Sequence, residues 1–234
     1  PVRGVFVASP GYTMGSAGVP RGAVISSVAG KPVATLADFQ QAVAGLAAGA
    51  RVTVRYTTLG NPTGSETRVM RVDRRWYAAR ECLRDDQTGL WPCRDLPQAP
   101  AAEAPAAART SFVTTGDALA DRLAPSLVLV NYSMPFSVAG VTERNYHGTG
   151  LVVDAARGLV AVDRNTVPVA VGDVRLTFAG SIEIPGRVEY LHPLHNVAIV
   201  SFDPKLLDGT PIRSAKLDTR ELAPGESVVV VGMN

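Results

Sequence analysis

His147-Gly148-Thr149-Gly150-Leu151-Val152-Val153-Asp154, followed closely by Gly158-Leu159-Val160-Ala161-Val162-Asp163-Arg164-Asn165-Thr166-Val167, decides how the second half of this chain folds. Each stretch enters through glycine, runs through β-branched and aliphatic residues, and ends at an aspartate. That is a strand leading into a turn. Working outward, strands of the same kind are expected over residues 126–132, 174–178, 182–190, 197–202 and 227–231, with Gly, Pro and Asp between them. A short helix is expected over 116–123, ahead of the first strand. Short strands at this spacing predict a barrel or a sandwich.

Upstream, residues 97–110 read Pro-Gln-Ala-Pro-Ala-Ala-Glu-Ala-Pro-Ala-Ala-Ala-Arg-Thr. Such a stretch cannot bury a core and predicts an extended linker. It separates a first domain, 1–96, from a second, 111–234. The first domain mixes periodicities. Strands are expected over 4–8, 23–28, 51–57 and 67–72, with Gly30-Lys31-Pro32 as a turn and residues 60–64 as a second one. Thr35 reads as a helix N-cap with Asp38 completing a capping box. Leu36, Phe39, Val43 and Leu46 then fall on one helical face, and the helix is expected to end at Gly49. This is a small α+β domain ahead of a mainly β one.

Composition allows both. Of 234 residues, 46% are apolar and 19% charged, enough for a real core and unlike a disordered tail. No apolar run approaches the ~20 residues of a membrane span. The net charge of +2 is uneven: residues 1–96 carry 12 Lys/Arg against 7 Asp/Glu, and the rest carry 11 against 14. Arg68, Arg71, Arg74 and Arg75 lie in the basic part. Without aromatic interleaving they read as a solvated strand face, so no nucleic-acid partner is expected. The chain opens at Pro1 with no leader, which predicts a processed piece of something longer.

Two cysteines, Cys82 and Cys93, flank the turn-like Asp85-Asp86-Gln87-Thr88-Gly89. They predict either a disulfide across a hairpin or two buried thiols. The first alternative implies an oxidising compartment. His192 and His195 are three apart, but no third ligand is evident, so they read as a solvated loop and no metal or other cofactor is expected.

Several segments resemble a known family. Gly4-Val5-Phe6-Val7-Ala8, Gly15-Ser16-Ala17-Gly18-Val19-Pro20-Arg21-Gly22-Ala23-Val24-Ile25, Val28-Ala29-Gly30-Lys31-Pro32-Val33 and Leu36-Ala37-Asp38-Phe39 resemble the PDZ domain of bacterial HtrA-type proteases. Ala23 and Ala29 depart from the usual Asp and Asn. Residues 126–234 resemble the N-terminal, Greek-key six-stranded barrel of that family's trypsin-like domain. The two opening stretches carry the likeness, together with Leu194-His195-Asn196-Val197-Ala198-Ile199-Val200, and with Val228–Gly232 as the strand closing the barrel. The order of the segments resembles large HtrA-type proteins with two protease–PDZ halves, the second protease unit being inactive.

The resemblance implies more. In the family the position of Asn165 is the catalytic His and that of Asn196 its Asp. An amide takes no proton near neutral pH and cannot act as general base. No Gly-x-Ser-Gly-Gly nucleophile turn occurs in the sequence. The expectation is therefore a non-catalytic peptide-binding and scaffolding segment, with no catalytic residue of its own. The alternative is a regulatory or substrate-delivery part of an active serine endopeptidase whose catalytic domain lies elsewhere. Peptide or unfolded-protein C-termini would add as a strand beside the helix, contacting Val5, Val7, Phe39 and Val43. The carboxylate-binding loop would precede Pro1, so binding by these residues alone is expected to be weak. Other domains of the parent chain and a second copy are the remaining expected partners. The likeness, with paired cysteines, predicts a bacterial, periplasmic or secreted protein of the quality-control type.

Overall fold

A computed structural model describes residues 3–97, 102–136, 138–139 and 143–233. It divides into two compact units, Pro1–Ala104 and Pro105–Asn234.

The first unit runs β1 (Val5–Phe6), α1 (Gly11–Ser16), β2 (Ala23–Val28), β3 (Lys31–Pro32), α2 (Leu36–Ala44), β4 (Arg51–Thr58), β5 (Asn61–Arg71), β6 (Arg80–Cys82) and β7 (Cys93–Asp95). The main sheet has the order β1-β2-β4-β5, with β3 also paired to β2, while β6 and β7 form a separate hairpin. Val19, Ile25, Val28, Val54, Tyr56 and Met70 are buried at its centre, and Phe39 and Val43 of α2 pack against them. The Thr35 hydroxyl accepts the Asp38 N–H at 3.2 Å, and the Asp38 carboxylate accepts the N–H groups of Ala34 and Thr35 at 3.0 and 2.9 Å. These bonds satisfy donors that the first helical turn leaves open.

Four local expectations change. The helix stops at Ala44, because Gly45 is its C-cap and glycine propagates a helix poorly. Gly49, the expected stop, instead bonds the Val72 carbonyl at 2.7 Å. Lys31 and Pro32 pair with Val28 and Ser27 as a short strand, and the turn moves to Ala29-Gly30, both at positive φ. The 60–64 loop shrinks because Thr58 pairs directly with Asn61 and β5 starts there. Helix α1 has no apolar periodicity to announce it. It is tied down instead by the Thr13 hydroxyl, which donates to the Asp73 carbonyl at 2.8 Å.

The second unit holds α3 (Ala118–Leu123), then β8 (Leu127–Ser133), β9 (Asn145–Asp154), β10 (Leu159–Val162), β11 (Asp173–Phe178), β12 (Ile182–Leu191) and β13 (Ala198–Phe202). The six strands close into a barrel in the order β10-β13-β12-β11-β8-β9. Alternate residues point inward, so Val128, Val130, Tyr132, Val152, Val160, Leu176, Phe178 and Val200 fill the core. Two glycines of β9 are demanded by closeness. A Cβ on Gly150 would lie 2.5 Å from Val160 Cγ1, and one on Gly148 would lie 2.1 Å from Thr166 Oγ1.

The strand expected over 227–231 is not formed. Every barrel strand already has two neighbours, so no edge is left to receive it. Val228, Val229 and Val230 stand exposed, and the segment returns to the barrel where the Met233 N–H donates to Thr149 Oγ1 at 2.7 Å. Of the linker reading, residues 98–101 lie outside the described residues. The stretch 102–110 has no regular structure. Its end is bound to the second unit through Ala108 N–H to Leu206 O at 3.0 Å and Thr110 N–H to Thr210 Oγ1 at 3.1 Å.

Candidate functional site

Strand β10 ends at Val162 and the chain turns at once. Asp163 accepts the Thr166 N–H at 3.0 Å and the Thr166 hydroxyl at 2.7 Å with its two carboxylate oxygens. This closes a tight Asx-type turn. Thr166 is thereby pressed onto Gly148 of β9, and the turn's position is fixed to the barrel wall. Asn165 sits at the exposed apex. Asn196 lies just before β13, and its amide oxygen accepts the backbone N–H of Arg164 at 2.8 Å. The two asparagines are thus neighbours, yet the described residues show no hydrogen bond between their side chains. Asn196 acts on the turn's backbone.

Arg164 reaches across the same gap. Its guanidinium donates through Nη1 to the His192 carbonyl at 2.8 Å, while Nε is buried without a hydrogen-bond partner. The His192 ring accepts the N–H groups of Leu194 and His195 at Nδ1, at 3.2 and 2.9 Å. The His195 ring lies 4.5 Å from that of His192. Among the described residues no three His, Cys, Asp or Glu side chains cluster as a metal set would. This arrangement braces two loops. Sequence reasoning singled out Asn165 and Asn196 but passed over Asp163, Arg164 and Thr166. The Asp-x-x-Thr spacing was the available signal.

In the first unit, among the described residues, β1 pairs with β2 alone and so lies at the edge of the sheet. Val5 is half-buried, Val7 is buried in the core, and Phe6 between them is 54% exposed. Phe39 and Val43 are half-buried on α2. An open edge of backbone donors and acceptors takes an added strand. Phe6 was missed because alternation was not carried through the strand.

Behind α2, the hairpin of β6 and β7 brings Cys82 opposite Cys93 in register, and a disulfide joins them. Both are exposed, so the buried-thiol alternative does not apply. The Gln40 side chain of α2 donates to Glu81 at 2.8 Å, and Glu81 also pairs with Arg94. The side-chain N–H of Gln40, and after it Arg94, hold the Glu81 carboxyl below the usual range.

No family model matches the chain. Curated relatives do. A PDZ domain-containing protein of Schizosaccharomyces pombe is 34% identical over 100% of this chain and 24% of its own length. Proteins named pro-apoptotic serine protease NMA111 match in Pyricularia oryzae, at 37% over 91% of this chain and 21% of theirs, and in Chaetomium globosum, at 35% over 99% and 23%. The chain spans about a quarter of the length of these relatives. They are fungal, which overturns the expectation of a bacterial protein in a periplasmic or secreted location. That expectation leaned on the cysteines. Strand register alone sets them opposite each other, whatever compartment holds the chain.

Proposed function

Since the chain belongs to the HtrA-type, PDZ-containing serine protease family, we propose that this segment is a non-catalytic binding and scaffolding part of a larger protein. Its first unit is a peptide-binding PDZ module. An extended peptide C-terminus adds along the β1 edge beside α2, using Val5, Phe6, Phe39 and Val43. Its second unit is the N-terminal barrel of an inactive trypsin-like domain. The observation that carries this reading is the bond from Arg164 N–H to Asn196 Oδ1. At the two positions where the family's triad needs an acid–base pair, one amide is spent on the backbone and the other points to solvent. In trypsin, exchanging the buried Asp of the triad for Asn costs ~10⁴ in rate by itself.

A fluorogenic peptide assay with a serine-reactive phosphonate label tests this. The 234-residue protein is expected to show no turnover above buffer and no labelling. The variant Asn165→His, Asn196→Asp stays equally inert, since restoring two triad members supplies no nucleophile. Stoichiometric labelling with turnover that co-purifies with the protein would defeat the proposal. A second reading has this segment regulate, or deliver substrate to, an active serine endopeptidase elsewhere in the parent chain. The relatives' protease name favours it. Turnover by the full-length protein, with this segment inert, is its signature.

A further inference from the structure

No residue from Asp73 to Pro97 is buried, and none belongs to the core of the first unit. The hairpin of β6 and β7 lies in this stretch, and Leu83, Leu90 and Trp91 near its tip are exposed. Its strands have three residues each, and a two-stranded hairpin without a buried face is marginal in water. Its ion pairs, Arg80 with Asp95 and Arg94 with Glu81, involve exposed arginines and add little. The covalent bond between Cys82 and Cys93 is the strongest closure, and both cysteines are exposed. The residues next to them tie the hairpin to α2. Glu81 and Arg94 face each other one pair along from the disulfide. Glu81 accepts Arg94 at Oε2, and it accepts Gln40 of α2 at Oε1, the latter at 2.8 Å.

We propose that Cys82–Cys93 is a reversible thiol–disulfide exchange site for a small thiol, and that its reduction releases α2 from the hairpin. Exposure supplies the first reason: a disulfide open to solvent is the kind that thiols reach and that serves as a labile bond. The exchange balances in two steps. A thiolate attacks one cysteine sulfur, the S–S bond breaks, and the other cysteine leaves as a thiolate that takes up a proton. A second thiolate attacks the mixed disulfide and frees the first cysteine, which is protonated in turn. Two small thiols are thereby oxidised to one disulfide, and the protein gains two electrons and two protons. Position supplies the second reason. Without the bond, the register that sets Glu81 against Arg94 rests on three residue pairs, and the carboxylate that Gln40 holds is no longer fixed. Gln40 lies between Phe39 and Val43 on α2, so the release reaches the peptide groove assigned above. That consequence rests on the peptide-binding reading, while the exchange site does not.

Incubation of the 234-residue protein in mixtures of reduced and oxidised glutathione, followed by acid quench, maleimide labelling and mass spectrometry, tests the exchange. Both thiols are expected to become free without denaturant, and to re-form the bond when the oxidised form is restored. A disulfide that stays intact until denaturant is added would overturn the proposal. Hydrogen exchange tests the release. On reduction, amides of residues 80–95 should exchange at least about tenfold faster, since the clasp of a short loop is lost. Those of α2 around Gln40 should quicken too, while β2 and β4 stay protected. Equal quickening of β2 and β4 would make the disulfide a staple of the whole unit, and unchanged exchange in α2 would sink the release. The variant Gln40→Leu should exchange fast in α2 already when oxidised and should not respond there to glutathione; a full response in that variant would show that α2 is not coupled through Glu81. No readout involves a peptide, so failure of the peptide-binding reading would leave all of them in place.

Discussion

Asn165 and Asn196 carry the same side chain at neighbouring places in the fold, yet they do unlike things. Asn196 accepts a backbone N–H at 2.8 Å and so holds the turn after β10. Asn165 is exposed, and among the described residues its side chain makes no hydrogen bond to Asn196. Truncating Asn196 to Ala leaves that N–H without its acceptor, at a cost of about 1 kcal/mol. Truncating Asn165 should fall within about 0.5 kcal/mol of no change. Urea unfolding of the two single variants reads the difference; equal midpoints would show that the Arg164 bond does not stabilise the barrel. The sequence made both residues conspicuous, because each replaces a residue of the resembled triad. It could not reveal the bond, which joins positions 32 apart. Arg164 was unreadable for a related reason. A charged residue beside a turn normally faces water, and only the fold brings the His192 carbonyl to it.

At the scale of elements, local chemistry was legible and tertiary chemistry was not. The Thr35–Asp38 capping box is a three-residue pattern, and it forms as the sequence predicts. The whole of α1 depends on a partner distant in the chain, Asp73 for Thr13. The contact between α2 and the disulfide hairpin belongs to this second kind, and it titrates. Gln40 first, then Arg94, hold the Glu81 carboxyl below its ordinary range. A carboxyl lowered on folding adds stability above the unfolded value, about 4.3 for Glu. That contribution is lost as pH falls through the folded value. Hydrogen exchange within residues 80–95 is therefore expected to quicken, beyond the intrinsic rate change, as the protein is acidified below about pH 4.3. Glu81→Gln should flatten the response; an unchanged profile in that variant would place the acid sensitivity elsewhere.

The whole molecule is two cores joined by a stretch with almost no large apolar side chain. Residues 102–107 are exposed and lack regular structure, whereas Ala108 and Thr110 are bonded to the second unit. A glutamate-specific protease should therefore separate the halves first at Glu103, leaving two fragments that each keep their circular dichroism. An earlier cut at Glu183 or Glu189, within β12, would mean that the barrel is not an independent unit. Composition marks 97–110 as a stretch that holds no core, and the two compact units divide between Ala104 and Pro105. The barrel was legible as strands and turns. Its closure came from the resemblance rather than from the strand pattern, since which strand meets which is decided by pairings such as β8 with β11. Hence the run at 228–231 looked like a further wall although the ring of six was already complete. Four consecutive valines left outside a finished ring also set a ceiling on concentration. Such a run has high strand propensity, no charge and no proline, the composition of segments that stack between molecules. The protein at high concentration should cloud by templated fibre growth from this run, while dilute samples stay clear.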